Sequence, residues 1–382
     1  MSKEKKPMGL YIHIPFCNRK CDYCDFVSYS MDKKAQELYF EALCAEIDML
    51  KLKYVDQIFD SLYIGGGTPS IVYEGFIRSL SRKLFSSFHF TDDAEFTLEV
   101  NPSSFNKTKF FEYVESGVNR ISIGVQCLDS RLLKKQGRIQ SVKNIKKTFK
   151  ILNNAEFPNV SADVMIGLPG QKVGSVKKTV EYLIYNCVRH ISVYSLQVEK
   201  NTLLYEKSRR RKHKPFHKDK TLLKMYNTAT DILESYGYHR YEVSNFARYG
   251  FESRHNKKYW DNTNYLGLGV SAHSYIDGYR YFNTKRLDTY IDAMKEGKSA
   301  IYSKEYIDKE TARTERIMLA LRTEDGLNLE EFKKEFNEDL LKSRAEQIKL
   351  LQEKDMIVIK DGYLKIREEH FYVSNSIIIE LI

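Results

Sequence analysis

The stretch Gly9-Leu-Tyr-Ile-His-Ile-Pro-Phe-Cys17-Asn-Arg-Lys-Cys21-Asp-Tyr-Cys24 decides the fold. Its first part, Gly9 to Ile14, is apolar enough to read as a buried strand. The strand leads directly into a loop that packs Cys17, Cys21 and Cys24 close together. Thiolates are soft ligands suited to iron–sulfur clusters, and a compact loop can wrap three of them around one face of a cubane. Three protein ligands leave the fourth iron open to a small molecule. A structural zinc site wants four closed ligands, commonly in two separated pairs. The remaining cysteines, Cys44, Cys127 and Cys187, are scattered singly and offer no second pair. They read as small buried apolar residues.

Outward from this loop, short β-rich runs recur at Ser61–Ile64, Glu95–Val100, Arg120–Val125, Val160–Ile166 and Ile191–Gln197. Amphipathic stretches such as Gln36–Lys51 and Val142–Asn153 lie between them. Strands alternating with helices imply βαβ units and a parallel sheet with helices outside it. Six such units predict an α/β fold, a partial (β/α)6 barrel of the TIM type, although the pattern also admits a doubly wound sheet. Polar signatures follow five of the strands: the cysteine loop, Gly65–Pro69, Asn101-Pro102, Gln126 and Gly167–Pro169. In a barrel the C-terminal strand ends converge on one mouth, so five signatures at five strand ends describe one site. After residue 300 the pattern changes to helices at Thr311–Arg322, Asn328–Phe336 and Asp339–Glu353, then short strands at Met356–Lys360 and Tyr363–Ile366. That order predicts a small α+β, winged-helix-like domain, a packing or docking element rather than a DNA reader. The expected divisions are a barrel over 1–235, an extension packed on it over 236–300 and the C-terminal domain over 301–382.

Composition sets bounds on function. With 382 residues and 42% hydrophobic content, the chain has material for one large core and a smaller one. No run of apolar residues is long enough for a transmembrane helix, and the charged start MSKEKKPMGL lacks the apolar stretch of a signal peptide. A cytoplasmic protein is expected. The net charge of +10 suits anionic partners, and part of it is concentrated in Arg209, Arg210, Arg211, Lys212 and Lys214. Such a run reads first as a solvated loop; the alternative is that the insertion around Arg209 to Lys220 offers a docking surface to a membrane or an acidic acceptor. Nucleic acid is not expected as a partner, because no aromatic-interleaved platform accompanies the charge.

The cysteine loop, of the form CxxxCxxC, resembles that of the radical S-adenosylmethionine (SAM) superfamily. Tyr11-Ile-His-Ile-Pro-Phe-Cys17, Gly65-Gly-Gly-Thr-Pro-Ser70, Glu99-Val-Asn-Pro102, Gly117 to Gln126 and Asp163-Val-Met-Ile-Gly-Leu-Pro169 are similar, in the same order, to the oxygen-independent coproporphyrinogen III oxidase group. The resemblance implies a [4Fe–4S] cluster on Cys17, Cys21 and Cys24 whose open iron chelates SAM. By position it also implies that Tyr11, Gly66, Gly67, Thr68, Glu99, Gln126, Arg138 and Asp163 contact that cofactor. The residue types suit these roles. Glycines present backbone N–H groups to a carboxylate, Glu99 and Asp163 accept hydrogen bonds, and Arg138 can pair with the methionine carboxylate.

Two features separate branches of this group. The decarboxylating oxidases carry a fourth cysteine two residues after the third, and here that position is Phe26. Cys24-Asp-Phe26 and His255-Asn-Lys-Lys-Tyr-Trp260 resemble instead the HemW branch of haem chaperones, with its HNxxYW motif. The resemblance implies haem binding and transfer to an acceptor haemoprotein; the alternative is propionate decarboxylation of coproporphyrinogen III. Imidazole is a common axial ligand of haem iron, which makes His255 the first candidate, with His273 and His13 competing. Tyr259 and Trp260 are expected to offer flat apolar surface to a porphyrin. Gln140 stands where branch members often have His and carries no expectation.

Overall fold

The computed structural model describes residues 6–30, 32–210 and 216–382, with the side chain of residue 210 left aside. Arg211, Lys212 and Lys214 of the basic stretch therefore lie outside the described residues.

Six strands alternate with helices: β1 (Met8–Ile14), β2 (Ile58–Gly66), β3 (His89–Val100), β4 (Arg120–Gln126), β5 (Val160–Ile166) and β6 (His190–Ser195). Each pairs with the next in parallel. The helices on the outside include α1 (Lys33–Lys51), α2 (Phe76–Ser87), α3 (Lys107–Glu115), α4 (Val142–Asn154), α5 (Val173–Tyr185) and α6 (Asp219–Ser235). Their apolar stripes meet the strands in a single core, with Leu10, Ile12, Leu62, Ile64, Leu98 and Ile121 fully buried. The α4 helix begins with a capping box, Ser141 and Asn144 bonding each other's backbone, at the boundary its periodicity predicts. This is the partial barrel read from the sequence.

The extension does not simply pack on the barrel; it prolongs the sheet at both ends. At one end β8 (Asn245–Ala247) pairs antiparallel with β6 and with β7 (His239–Arg240). The chain then passes through α7 (Arg254–Trp260) to the other end, where β9 (Tyr265–Leu268) lies parallel to β1. An antiparallel run of β10 (His273–Ile276), β11 (Tyr279–Asn283) and β12 (Ile301–Tyr306) completes a twelve-stranded sheet, open at both edges. Because β12 belongs to this sheet, the last domain starts at α8 (Lys309–Ala320), later than residue 301. That domain has its own core around Ile317, Leu321, Phe332 and Leu364 and a three-stranded sheet. Its helix and strand order is the winged-helix arrangement. The helix expected over Asp339–Glu353 is broken at Arg344 into Leu340–Ser343 and Ala345–Glu353.

No helix among the described residues is long and apolar enough to cross a membrane.

Candidate cofactor site and haem recess

The cysteine loop sits over the C-terminal ends of β1 to β5. It is tied down by backbone and side chain together. Asp22 N–H donates to the Gln136 carbonyl at 3.0 Å, and Leu204 N–H donates to the Asp22 carbonyl at 2.6 Å. The buried Asp22 carboxylate pairs with Lys207 at 2.5 Å. Cys17 Sγ lies 3.3 Å from the Thr68 hydroxyl. All three cysteines line one recess of about 190 Å³, and its walls include Gly66, Gly67, Thr68, Glu99, Gln126, Arg138 and Asp163. Seven of the eight residues expected around SAM are thus brought together with the three thiols.

The polar groups of this recess are held by residues that sequence reasoning passed over. Glu99 accepts from the Tyr63 hydroxyl at 2.8 Å and from Gly66 N–H at 3.2 Å. Burial pushes its carboxyl up to about 7, and the neighbouring Asp163 adds to the shift. Asp163 is also raised by burial, against opposing hydrogen bonding from Ser192 and the charges of Arg120 and Arg138. Arg138 donates to the Tyr23 hydroxyl at 2.7 Å, the Gly124 carbonyl at 3.0 Å and the Gln140 amide oxygen at 2.7 Å. Gln140 in turn donates to the Gly124 and Val125 carbonyls. The residue that departs from the branch pattern is therefore the one that orients the arginine. Its position two residues beyond Arg138 is the signal that could have found it. Gln126 adopts φ 67° at a bulge in β4, an uncommon conformation for a side chain that faces the recess.

Two expectations about this wall need correction. The Gly66 and Gly67 N–H groups are not presented to a ligand: the first donates to Glu99 and the second to the Ile14 carbonyl at 2.8 Å. The glycines are needed for packing instead. A Cβ on Gly67 would come within 2.7 Å of the Phe16 carbonyl oxygen, and one on Gly66, at φ 113°, within 2.7 Å of the His13 ring. Tyr11 does not reach the cysteine recess; its hydroxyl meets His13 Nδ1 at 3.1 Å and its ring lines a second recess. Among the single cysteines, Cys127 is buried, Cys44 is half-buried and Cys187 is exposed, so the expectation of three buried residues holds for one.

His255 is placed far from a ligand's reach. Its helix α7 closes the floor of the barrel, beside the N-terminal halves of β1 to β3, where Gly9, Ser61 and Glu95 lie in register. The Glu95 carboxylate accepts from the N–H groups of Arg254 and His255 and from the Ser253 hydroxyl, capping the helix start. The His255 ring is fully buried, with Nδ1 3.1 Å from the Ser61 hydroxyl and Nε2 2.9 Å from the Tyr259 hydroxyl. Burial, reinforced by Lys258 and Arg120, lowers its pKa to about 3. Both nitrogens are engaged, so in this arrangement His255 has none to give to iron. It holds Tyr259, whose ring forms part of the second recess.

That second recess, of about 420 Å³, opens on the β1/β9 side of the mouth and is lined by Phe26, Val27, Tyr259, Tyr265, His273 and Lys285, among others. Phe26 is 62% exposed and forms a wall common to both recesses.

Comparison with known proteins adds ancestry to this geometry. Residues 11–183 match the model of the radical SAM superfamily, and residues 307–372 match that of the HemN C-terminal domain. The heme chaperone HemW of Lactococcus lactis is 33% identical over 98% of this chain and 97% of its own length. The chain belongs to the HemW family. The HemW chaperone of Bacillus subtilis is 34% identical over 91% of this chain and 92% of its own. The coproporphyrinogen III oxidase HemN of Escherichia coli shares the fold, with a TM-score of 0.85, 99% of this chain and 90% of that one covered, at 23% identity. Membership of the radical SAM superfamily implies a [4Fe–4S] cluster and SAM. The recess fits such a group by its donor set. Three thiols face one cavity, and Arg138 Nε is buried there without a hydrogen-bond partner. Among the described residues no three potential ligands converge tightly enough for a single metal ion.

Proposed function

We propose that this chain binds haem and hands it to an acceptor haemoprotein, while Cys17, Cys21 and Cys24 hold a [4Fe–4S] cluster with SAM on its open iron. The observation that carries the reading is the near full-length relationship to HemW chaperones, combined with Phe26 where the oxidases have a cysteine. Bound in this recess, the cluster supplies an electron donor and a Lewis-acidic iron.

The chain's own residues supply position and charge. Arg138, held on three sides, is preorganised to pair with a carboxylate. Glu99 and Asp163 face the same space, and a cationic ligand between them favours ionisation of both. The Cys24 thiol, pushed up to about 11 by burial, is protonated without metal, so binding of iron releases a proton. Docking to an acidic acceptor or membrane surface is assigned to the basic stretch that starts at Arg209, on charge alone; unchanged acceptor and liposome binding after neutralising Arg209 to Lys212 would remove that assignment.

The reading is tested by titrating ferric haem into the anaerobically reconstituted protein, followed at the Soret band, then adding an apo-haemoprotein. Saturable binding with one haem per chain and movement of haem to the acceptor support it. Sustained release of CO₂ from coproporphyrinogen with dithionite and SAM, without haem binding, overturns it in favour of an oxidase.

A further inference from the structure

We infer that the recess beside the cluster loop is the haem site and that His273, not His255, supplies the axial nitrogen. This assignment rests on the haem-binding reading above and gives it a location.

Histidine chemistry separates the candidates. His13, His190 and His255 are buried, and each has both ring nitrogens engaged: His13 with Tyr11 and Val27, His190 with Ser161 and Tyr241, His255 with Ser61 and Tyr259. His273 is exposed into the second recess, and neither of its nitrogens has a hydrogen-bond partner among the described residues. Its ring is nevertheless held in place. It stacks on Phe282 with centroids 4.9 Å apart and planes at 22°. Partial burial, with the charges of Lys285 and Arg280, lowers its pKa and favours the neutral form, the one that binds metal.

The recess has the composition of a site for a flat apolar ligand with anionic ends. Phe26, Val27, Tyr259 and Tyr265 provide apolar and aromatic wall, Lys285 provides a cation for a carboxylate, and Asp25 is the one acidic group of the lining. Its size falls in the range of small-molecule pockets.

The loop that carries His273 is also built to hold its place. The buried Glu46 of α1 accepts from Gly269 N–H at 2.7 Å, from the Asn283 amide at 2.6 Å and from the Tyr290 hydroxyl at 2.7 Å. The first two bonds pin the two ends of the β10–β11 hairpin that bears His273 and Phe282, and the third ties in the helix that follows it. Tyr259, fixed by His255, forms part of the recess from the barrel floor. The HNxxYW helix thus acts on haem by positioning, through Tyr259. Phe26 lines both recesses, so a haem held here would lie beside the segment that follows Cys24.

The test uses the full chain, reconstituted anaerobically and titrated with ferric haem, comparing wild type, His273→Ala, Lys285→Glu and His89→Ala, the last an exposed control on the opposite face. Affinity is read from the Soret difference and ligation from magnetic circular dichroism. For His273→Ala the expected result is at least about a tenfold loss of affinity and loss of the wild-type ligation spectrum, which added imidazole restores. Lys285→Glu weakens binding with the spectrum unchanged, and His89→Ala matches wild type. If wild type binds one haem and His273→Ala does so with equal affinity and spectrum, the assignment is overturned while the chaperone reading stands. If wild type binds no haem, that reading fails and takes the assignment with it.

Discussion

Replacing His255 by alanine separates a positioning role from an iron-binding one. The substitution removes two hydrogen bonds and leaves the Ser61 and Tyr259 hydroxyls facing each other across a void at the barrel floor. Ser61 is fully buried. An orphaned buried hydroxyl costs about 1–3 kcal/mol, and water entering the void can recover part of that. Loss of the ring's packing adds a term of the kind seen for large-to-small core changes, so the sum is about 3–5 kcal/mol. Urea denaturation followed through Trp260, the only tryptophan of the chain and a member of the same helix, reports this locally. The midpoint is expected to fall by about 1 M or more with little change in slope. Haem affinity should weaken modestly through Tyr259, while the ligation spectrum of the haem that still binds remains that of wild type. A midpoint shift below about 0.3 M together with loss of the wild-type ligation spectrum would refute the reasoning, because His255 would then be a ligand and not a floor.

Other substitutions probe the remaining parts. Gly67→Ala forces a Cβ against the Phe16 backbone, displaces the start of the cysteine loop and should lose most of the reconstituted iron and sulfide; wild-type iron content would contradict the packing role given to this glycine. Gln140→Leu removes the acceptor that orients Arg138 and is expected to weaken SAM binding by about tenfold, with Gln140→His restoring much of it; calorimetric titration showing no change in the leucine variant would dismiss the positioning role. Glu242, next to the C-terminal domain, has one carboxylate oxygen buried without a partner, and burial pushes its pKa up to about 7 from an ordinary 4.5. Its favourable, protonated state is fully present below the ordinary value, so stability is lost as pH rises through about 7, by about 3 kcal/mol once ionised. Glu242→Gln should therefore flatten the stability profile between pH 5 and 8, and parallel profiles for the two proteins would count against it.

Strand–helix alternation and the positions of polar signatures at strand ends were enough to read the barrel and most of its mouth, because both depend on local pattern. Cys17, Gly67, Glu99 and Asp163 share a recess since parallel strands bring their C-terminal ends together, whatever the intervening helices contain. What could not be read was which way a segment faces once the sheet is extended. HNxxYW looked like a ligand motif, yet Ser61 and Glu95, far away in sequence, turn its histidine inward and cap its helix. Gly66 and Gly67 looked like ligand-facing amides, and only their placement between β1 and β3 shows that Glu99 and Ile14 take those donors. Gln140 departed from the branch pattern and was set aside for that reason, although it holds the arginine of the site. The helix break at Arg344 has no glycine or proline to mark it.

The central claim is haem delivery by a protein with a superfamily cluster site, and transfer tests it most directly. The anaerobically reconstituted chain is loaded with one equivalent of ferric haem and mixed with an apo-haemoprotein, and the Soret band of each partner is followed after separation. The expected result is haem leaving this chain and appearing in the acceptor, with no CO₂ released from added coproporphyrinogen. Absence of specific haem binding, with multiple turnovers of coproporphyrinogen in its place, would contradict the account.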